Sequence, residues 1–598
     1  MSSRAPTTAP LVDLRTLRVS AIAVFLGLCA GLVAQILVRL IGLVTNIAFF
    51  GRVSTSFSSP TDHHLGAFVI VVPVIGGLIV GVMARYGSAA IRGHGIPEAM
   101  EQVLLNQSRI PPRVTILKPL SAAISIGTGG PFGAEGPIIA TGGALGSLLG
   151  QLLETTGSER KALLAAGAAA GMAATFGSPV SAVLLAVELL LFEFRARSLI
   201  PVCLASAAAA AVRLTANGSA PIFAMPEIQR PSPGALIVYV AIGALVGLVS
   251  VGVTRAVYFV EDCFDHLPVH WMWWPAIGAV AVGVVGYFDP RTLGVGYDNI
   301  SLILSGALPL KLLLSLCLLK FLSWVLSLGS GTSGGTLAPL FTIGGALGGV
   351  LGLIVAWGVP GIDSRVAALV GMASMFAGAS RGLLASIVFA FETTLEPLGL
   401  LPLLGGCTAA YFVSCFLMRN TIMTEKIARR GVRVPSEYEA DYLDRVRVAE
   451  AASRNVVAVS EEASVAEVRE WINSGAPDTQ HQGFPVVSKD ARLVGVVTRR
   501  YVFDPTRKGD EPISSFMRKD PPVVFEETSL REAADHMVEE KVGRLPVVDR
   551  ADHARMIGIL TRGDMLNAHR RRLVEGRLRE RSLRLTIVGL RSRAGQGA

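Results

Sequence analysis

Apolar runs fill the chain from residue 19 to about residue 418, and polar sequence follows to the end. This pattern predicts helices that cross a membrane several times, followed by a soluble tail. Many of the apolar runs are too short to cross about 30 Å of hydrocarbon. Such broken helices survive only where their ends face protein or a water-filled cavity. The first run begins near Val19, behind Arg4, Arg15 and Arg18. It is too long for a signal peptide and carries no cleavage site, so it reads as a span. Basic flanks stay on the cytoplasmic side. Both termini are therefore expected in the cytoplasm, with the spans in the cell (inner) membrane.

Polar breaks divide the chain. Residues 1–18 form an N-terminal flank, 19–213 a first membrane half and 234–419 a second. The joint between the halves, 214–233, is rich in Pro, Asn, Gly and Ser. A charged connector, 420–452, leads to two copies of a shorter motif at 453–504 and 511–568, and a basic tail occupies 569–598. Gly483-Phe-Pro-Val-Val487 with Leu493-Val-Gly-Val-Val-Thr-Arg499 matches Arg544-Leu-Pro-Val-Val548 with Met556-Ile-Gly-Ile-Leu-Thr-Arg562. Short apolar strands, turns and helices such as the one beginning at Leu530 make each copy a small α/β unit. The predicted fold class is an all-α polytopic membrane domain with broken helices, followed by a cytoplasmic α/β pair. The tail carries Arg570, Arg571, Arg572, Arg577 and Arg579. It reads as a solvated end, with weak contact to anionic membrane lipid as the alternative.

The membrane halves repeat each other. Gly129-Gly-Pro-Phe-Gly-Ala-Glu-Gly136 precedes Pro137-Ile-Ile-Ala-Thr-Gly-Gly-Ala-Leu-Gly146. About 200 residues on, Gly329-Ser-Gly-Thr-Ser-Gly-Gly-Thr-Leu-Ala338 precedes Pro339-Leu-Phe-Thr-Ile-Gly-Gly-Ala-Leu-Gly348. Each is a glycine-rich loop that ends in a proline and opens an apolar helix, where proline lacks only an amide with no helical partner. A helix start with exposed N–H groups and a positive dipole end suits an anion. Gly171-Met-Ala-Ala-Thr-Phe176 likewise returns as Gly371-Met-Ala-Ser-Met-Phe376, each followed by an apolar helix with one acid, Glu188 or Glu392. Paired interrupted segments of this kind point to the substrate site of a repeat transporter. Spacing alone leaves parallel and inverted halves both open.

Composition narrows the function. Only 17% of the 598 residues are charged and 51% are hydrophobic. The net charge of +9 follows from the basic flanks and is no nucleic-acid footprint. Cys29, Cys203, Cys263, Cys317, Cys407 and Cys415 lie scattered in apolar segments, with neither metal-ligand spacing nor a disulfide framework. No nucleophile–base pair, metal-ligand cluster or Walker loop appears, so neither an enzyme nor a bound metal is expected.

Gly93-His-Gly-Ile-Pro97, Gly133-Ala-Glu-Gly-Pro137 and Gly335-Thr-Leu-Ala-Pro339 resemble the three signature loops of the CLC chloride channels and chloride/proton antiporters. The polar tail resembles the tandem CBS pair that many of these proteins carry. The resemblance implies a CLC-like inverted repeat and a homodimer with one anion path per subunit. It places the amides of Ala134, Glu135 and Gly136 at an outer anion site and those of Thr336 and Leu337 at a central one. Glu135 resembles the family's gating glutamate. Ionised, it imitates the anion and occludes the path; protonated, it swings clear. An acid in an apolar membrane segment is in any case a functional hypothesis by default.

The chain departs from the family at three positions. His94 stands where a serine hydroxyl usually faces the central anion, either as an N–H donor or as a tolerated loop residue. Met423 stands where the family usually has a tyrosine, which removes a second hydroxyl and leaves chloride, nitrate and fluoride open as cargo. Leu189 stands where antiporters commonly keep an inner proton-path glutamate, directly after the acid matching Glu188. Glu188 itself reads as a structural acid near the dimer face. Glu193 is the candidate substitute on the proton pathway, inward of Glu135, with a surface salt bridge to Arg195 or Arg197 as its other role. In the CBS pair, Thr561 and Asp564 of Thr561-Arg-Gly-Asp564 resemble the residues that hold the phosphate and ribose of ATP or AMP. The first copy, Thr498-Arg-Arg-Tyr501, lacks the acid.

The favoured expectation is passive, voltage- or pH-gated chloride conduction with Glu135 as gate. Chloride/proton antiport is the alternative. A CBS-based membrane nucleotide sensor is the alternative from a different class.

Overall fold

The long apolar runs become helices. Among the described residues, eight are long and apolar enough to cross a membrane, from Leu14–Phe50 to Pro397–Leu417. Apolar helices too short to cross lie between them: Val114–Gly127, Pro179–Leu191 and Leu383–Thr394. The computed structural model describes residues 12–432, 434 and 442–575. They belong to two compact units, Leu11–Tyr438 and a second from Glu439 onward. The first helix starts at Leu14, so Arg15 and Arg18 lie on it rather than in a flank before it. Asp13 caps it by accepting the Thr16 N–H at 2.7 Å.

The two membrane halves exchange matching contacts. Glu188 accepts the amides of Leu384 and Ala385 at 3.0 and 3.1 Å. Glu392 accepts those of Val180 and Ser181 at 3.0 and 2.8 Å. Each acid therefore caps the short helix of the opposite half. Buried Lys118 donates to the carbonyls of Ile91 and Gly93, and buried Lys320 to those of Thr292 and Gly294, all at 2.8–2.9 Å. Reciprocal contacts of this kind mark two halves related by a two-fold axis. Small residues bring helices together in the same way in both halves. A Cβ on Gly142 would strike the Gly167 carbonyl, and one on Gly344 the Gly371 carbonyl.

The joint between the halves is partly structured. Helix Ala196–Asn217 runs into it. Phe223 is fully buried, donates its N–H to the Thr393 carbonyl at 3.0 Å, and packs against Phe176 and Tyr297.

The second unit contains two sheets. One has the strand order Val459–Ser460, Gly483–Val487, Leu493–Thr498, Arg518–Lys519. The other runs Val524–Phe525, Arg544–Val548, Met556–Thr561. In both, a parallel pair precedes an antiparallel one, with a register break at Val486/Val487 and again at Val547/Val548. The copies exchange edges. Val446 and Val448, from the segment read as connector, enter the second core, and Ser453 bridges Ile559. Ile513 enters the first core, and Arg518–Lys519 pairs with the first sheet. Beyond Glu575, the basic tail with Arg577 and Arg579 lies outside the described residues.

Candidate functional site

Three glycine-rich loops converge. Gly93 bridges Ser333, and Gly133 bridges Gly335 through two reciprocal hydrogen bonds, at 3.3 and 2.9 Å. The loops open helices Ile96–Leu105, Glu135–Leu152 and Leu337–Ala356, with Pro97, Pro137 and Pro339 in their first turns. Glycine is required at Gly95, where φ is +95° and a Cβ would strike the Gly136 carbonyl. The first N–H groups of these helices have no intrahelical acceptors. With the positive dipole ends, they make a place for a small negative group.

A negative group already lies there. Glu135 is fully buried, and its carboxylate faces its own amide and that of Ala338 at the head of helix Leu337–Ala356. The Tyr297 hydroxyl donates to Oε1 at 3.3 Å. Oε2 makes no hydrogen bond. It lies over the Cα of Gly133, where any side chain would displace it. Buried Ala134, just before the helix, and Gly136, in its first turn, flank Glu135, and Thr336 and Leu337 at the start of the other helix are fully buried. On the other two loops, His94 Nδ1 and Thr336 Oγ1 are also buried without partners, so each of the three loops contributes one such atom. Buried polar atoms are nearly always paired, so three exceptions at one junction make it the candidate site.

The segment that carries Met423 reaches the first loop through Lys426, which lies beside Gly93. Lys426, three residues on, pairs with Glu98 at 2.9 Å. Glu98 in turn caps the first loop's helix by accepting the Gly95 N–H at 2.7 Å. Met423 is fully buried, and the Ile422 carbonyl beside it accepts the Tyr258 hydroxyl at 2.8 Å.

Sequence reasoning passed over Tyr297, Glu98, Lys426 and Arg92. Arg92 stacks on Trp271 and Trp274, with its guanidinium carbon 4.9 and 5.5 Å from the ring centres, and donates to the Gly331 carbonyl. The signal for Tyr297 was present in Gly294-Val-Gly-Tyr297, a glycine-bounded helix start.

Leu189 is a buried apolar residue in the turn after helix Pro179–Ala186. Glu193 accepts the Ser198 hydroxyl at 2.6 Å and pairs with Lys161 at 3.9 Å. Lys161 is a partner the sequence did not single out. Glu193 lines a recess of about 310 Å³ together with Asp13, Arg15, Glu159, Arg195 and Arg197. In the second unit, Asp564 accepts the Thr561 N–H and hydroxyl at 2.8 and 2.7 Å, so the two residues form one cap on helix Arg562–Glu575. In the first copy the corresponding Tyr501 is half exposed.

Duplicated halves, broken helices and a junction of helix N-termini define a multi-pass membrane protein of the ion-transport class. The chain belongs to the CLC family: the family model described as "Voltage gated chloride channel" matches residues 76–415. The CBS domain model matches residues 448–504 and 513–571. The chain is 28% identical over 529 residues to Chloride channel protein CLC-f of Arabidopsis thaliana, covering 83% of this chain. It spans only 62% of that relative's own length. It is 26% identical over 443 residues to the H(+)/Cl(-) exchange transporter ClcA of Salmonella arizonae, covering 72% of this chain and 92% of that protein. Among solved structures, the fold is similar to that of a slow cyanobacterial Cl-/H+ antiporter. There the TM-score is 0.62 at 22% identity, covering 70% of this chain and 98% of that one.

Proposed function

We propose that this protein carries chloride across the cell (inner) membrane through one path per subunit of a homodimer, with Glu135 as the gate. The observation that carries the reading is the Glu135 carboxylate, buried at the junction of two helix N-termini with Oε2 unpaired. A carboxylate and a halide are both compact anionic acceptors, so one excludes the other. Protonation removes the charge that holds Glu135 against the amides, and the anion takes its place. On this reading the amides of Ala134, Glu135 and Gly136 serve an outer position and those of Thr336 and Leu337 a central one, with His94 and Met423 beside it. Amide dipoles attract an anion without a full positive charge, so it can also leave. Both termini face the cytoplasm, and Thr561 and Asp564 are the residues at which the CBS pair would hold ATP or AMP if it takes a nucleotide.

The flow is passive or weakly coupled to protons. A proton crossing an apolar interior needs titratable groups or water at each step. Leu189 offers none, and Glu193 is engaged by Lys161 and Ser198. Obligate exchange is the second reading, favoured by the relative named H(+)/Cl(-) exchange transporter. Recording pH outside proteoliposomes loaded with a chloride gradient separates the two. Little proton movement is expected. Brisk uphill proton movement overturns the passive reading, and its loss in Glu193→Gln would assign Glu193 to the route.

A further inference from the structure

We propose that Tyr297 is a ligand of the transported anion: its hydroxyl, which now donates to Glu135, donates to the anion once the carboxylate leaves. The proposal rests on the reading of Glu135 as a stand-in for that anion. In the structure, Tyr297 supplies the side-chain hydrogen bond to the Glu135 carboxylate, 3.3 Å from Oε1. The donor does not travel with the gate. Tyr297 opens helix Tyr297–Leu304 behind Gly296, whose φ is +78°. Its ring is held edge-on by Phe176 at 5.7 Å and by Phe223 at 5.9 Å. The turn before it is pinned by Lys320 through the carbonyls of Thr292 and Gly294. The Ala134 main chain also lies against the hydroxyl.

When Glu135 swings away, this fixed O–H loses its acceptor at the spot where the anion arrives. A phenol hydroxyl accepts or donates, and toward a halide it only donates. It adds a directed dipole without a charge, which fits a site that must release its cargo. At Met423 the side chain has no donor at all, so Tyr297 and the loop groups carry the coordination between them. The class of ligand is a small monovalent anion that accepts hydrogen bonds, chloride first.

The test uses the purified full-length protein with the gate removed. Sodium chloride is titrated calorimetrically into Glu135→Gln and into Glu135→Gln/Tyr297→Phe. A hydrogen bond to a charged acceptor predicts roughly tenfold weaker chloride binding in the double variant, at an unchanged melting temperature. Equal affinity in the two overturns the proposal and reduces Tyr297 to a support for the closed gate. If Glu135→Gln itself neither binds nor passes chloride, the reading of Glu135 fails, and the proposal fails with it. A measurement that needs no change at Tyr297 is the anomalous signal of bromide in crystals of Glu135→Gln. A peak within hydrogen-bond distance of the Tyr297 hydroxyl is expected; a peak only elsewhere in the path contradicts the proposal.

Discussion

The Glu135 carboxylate lies directly over the α-carbon of Gly133, two residues earlier in the same loop. Glycine leaves that space for it. In Gly133→Ala the new methyl group meets the end of a flexible side chain rather than backbone, so the carboxylate yields and the loop stays. The gate should then rest open more often at neutral pH. A change of about 1.4 kcal/mol in that balance is tenfold in open population. Chloride efflux at neutral pH should rise toward the level of Glu135→Gln. An unchanged pH profile in Gly133→Ala would show that the carboxylate does not need this space.

Lys320 lies fully buried, with two backbone carbonyls as its acceptors. Lys320→Met keeps the apolar stem and removes the donors. Each orphaned buried carbonyl costs about 1–3 kcal/mol. The apparent melting temperature in detergent should fall, and Lys118→Met should behave alike, since Lys118 does the same in the other half. Thermal unfolding indistinguishable from that of the unaltered protein would refute this assignment.

Asp564 and Thr561 already bond to each other, so a nucleotide must share their hydrogen bonds rather than find them free. If ATP or AMP binds there, each should raise the melting temperature of the CBS unit, by about 2.7 kcal/mol of added stability at a hundredfold excess over Kd. In Asp564→Ala the starting stability falls but the nucleotide shift should vanish. The absence of any shift in the unaltered protein would leave the pair as a packing module. A fragment for this work must begin before Val446, because Val446 and Val448 sit in the second core.

Periodicity and repeats made the broad fold legible. Gly/Pro punctuation placed two helix starts at Pro137 and Pro339, and the helices begin two residues earlier, at Glu135 and Leu337; the strand motifs marked both CBS sheets. What stayed hidden depends on distance across the fold. Nothing near Tyr297 in sequence announces that it reaches Glu135, which lies 162 positions away. The edge exchange between CBS copies was equally hidden, because Val448 lies in the segment read as connector and Ile513 inside the bounds read as the second copy. Phe223 lay in the joint marked by its Pro, Asn, Gly and Ser content, yet it fills the core beside Tyr297. Lys161 was passed over as the partner of Glu193 because it lies on a different helix, Gly157–Phe176.

The central claim is that ionised Glu135 occupies the anion's place and that protonation frees it. Chloride efflux from proteoliposomes, followed across a range of external pH, tests it most directly. The unaltered protein should speed up as the pH falls. Glu135→Gln, which keeps the shape and lacks the charge, should pass chloride at a high rate nearly independent of pH. Efflux through Glu135→Gln that keeps the unaltered protein's pH profile would contradict the account.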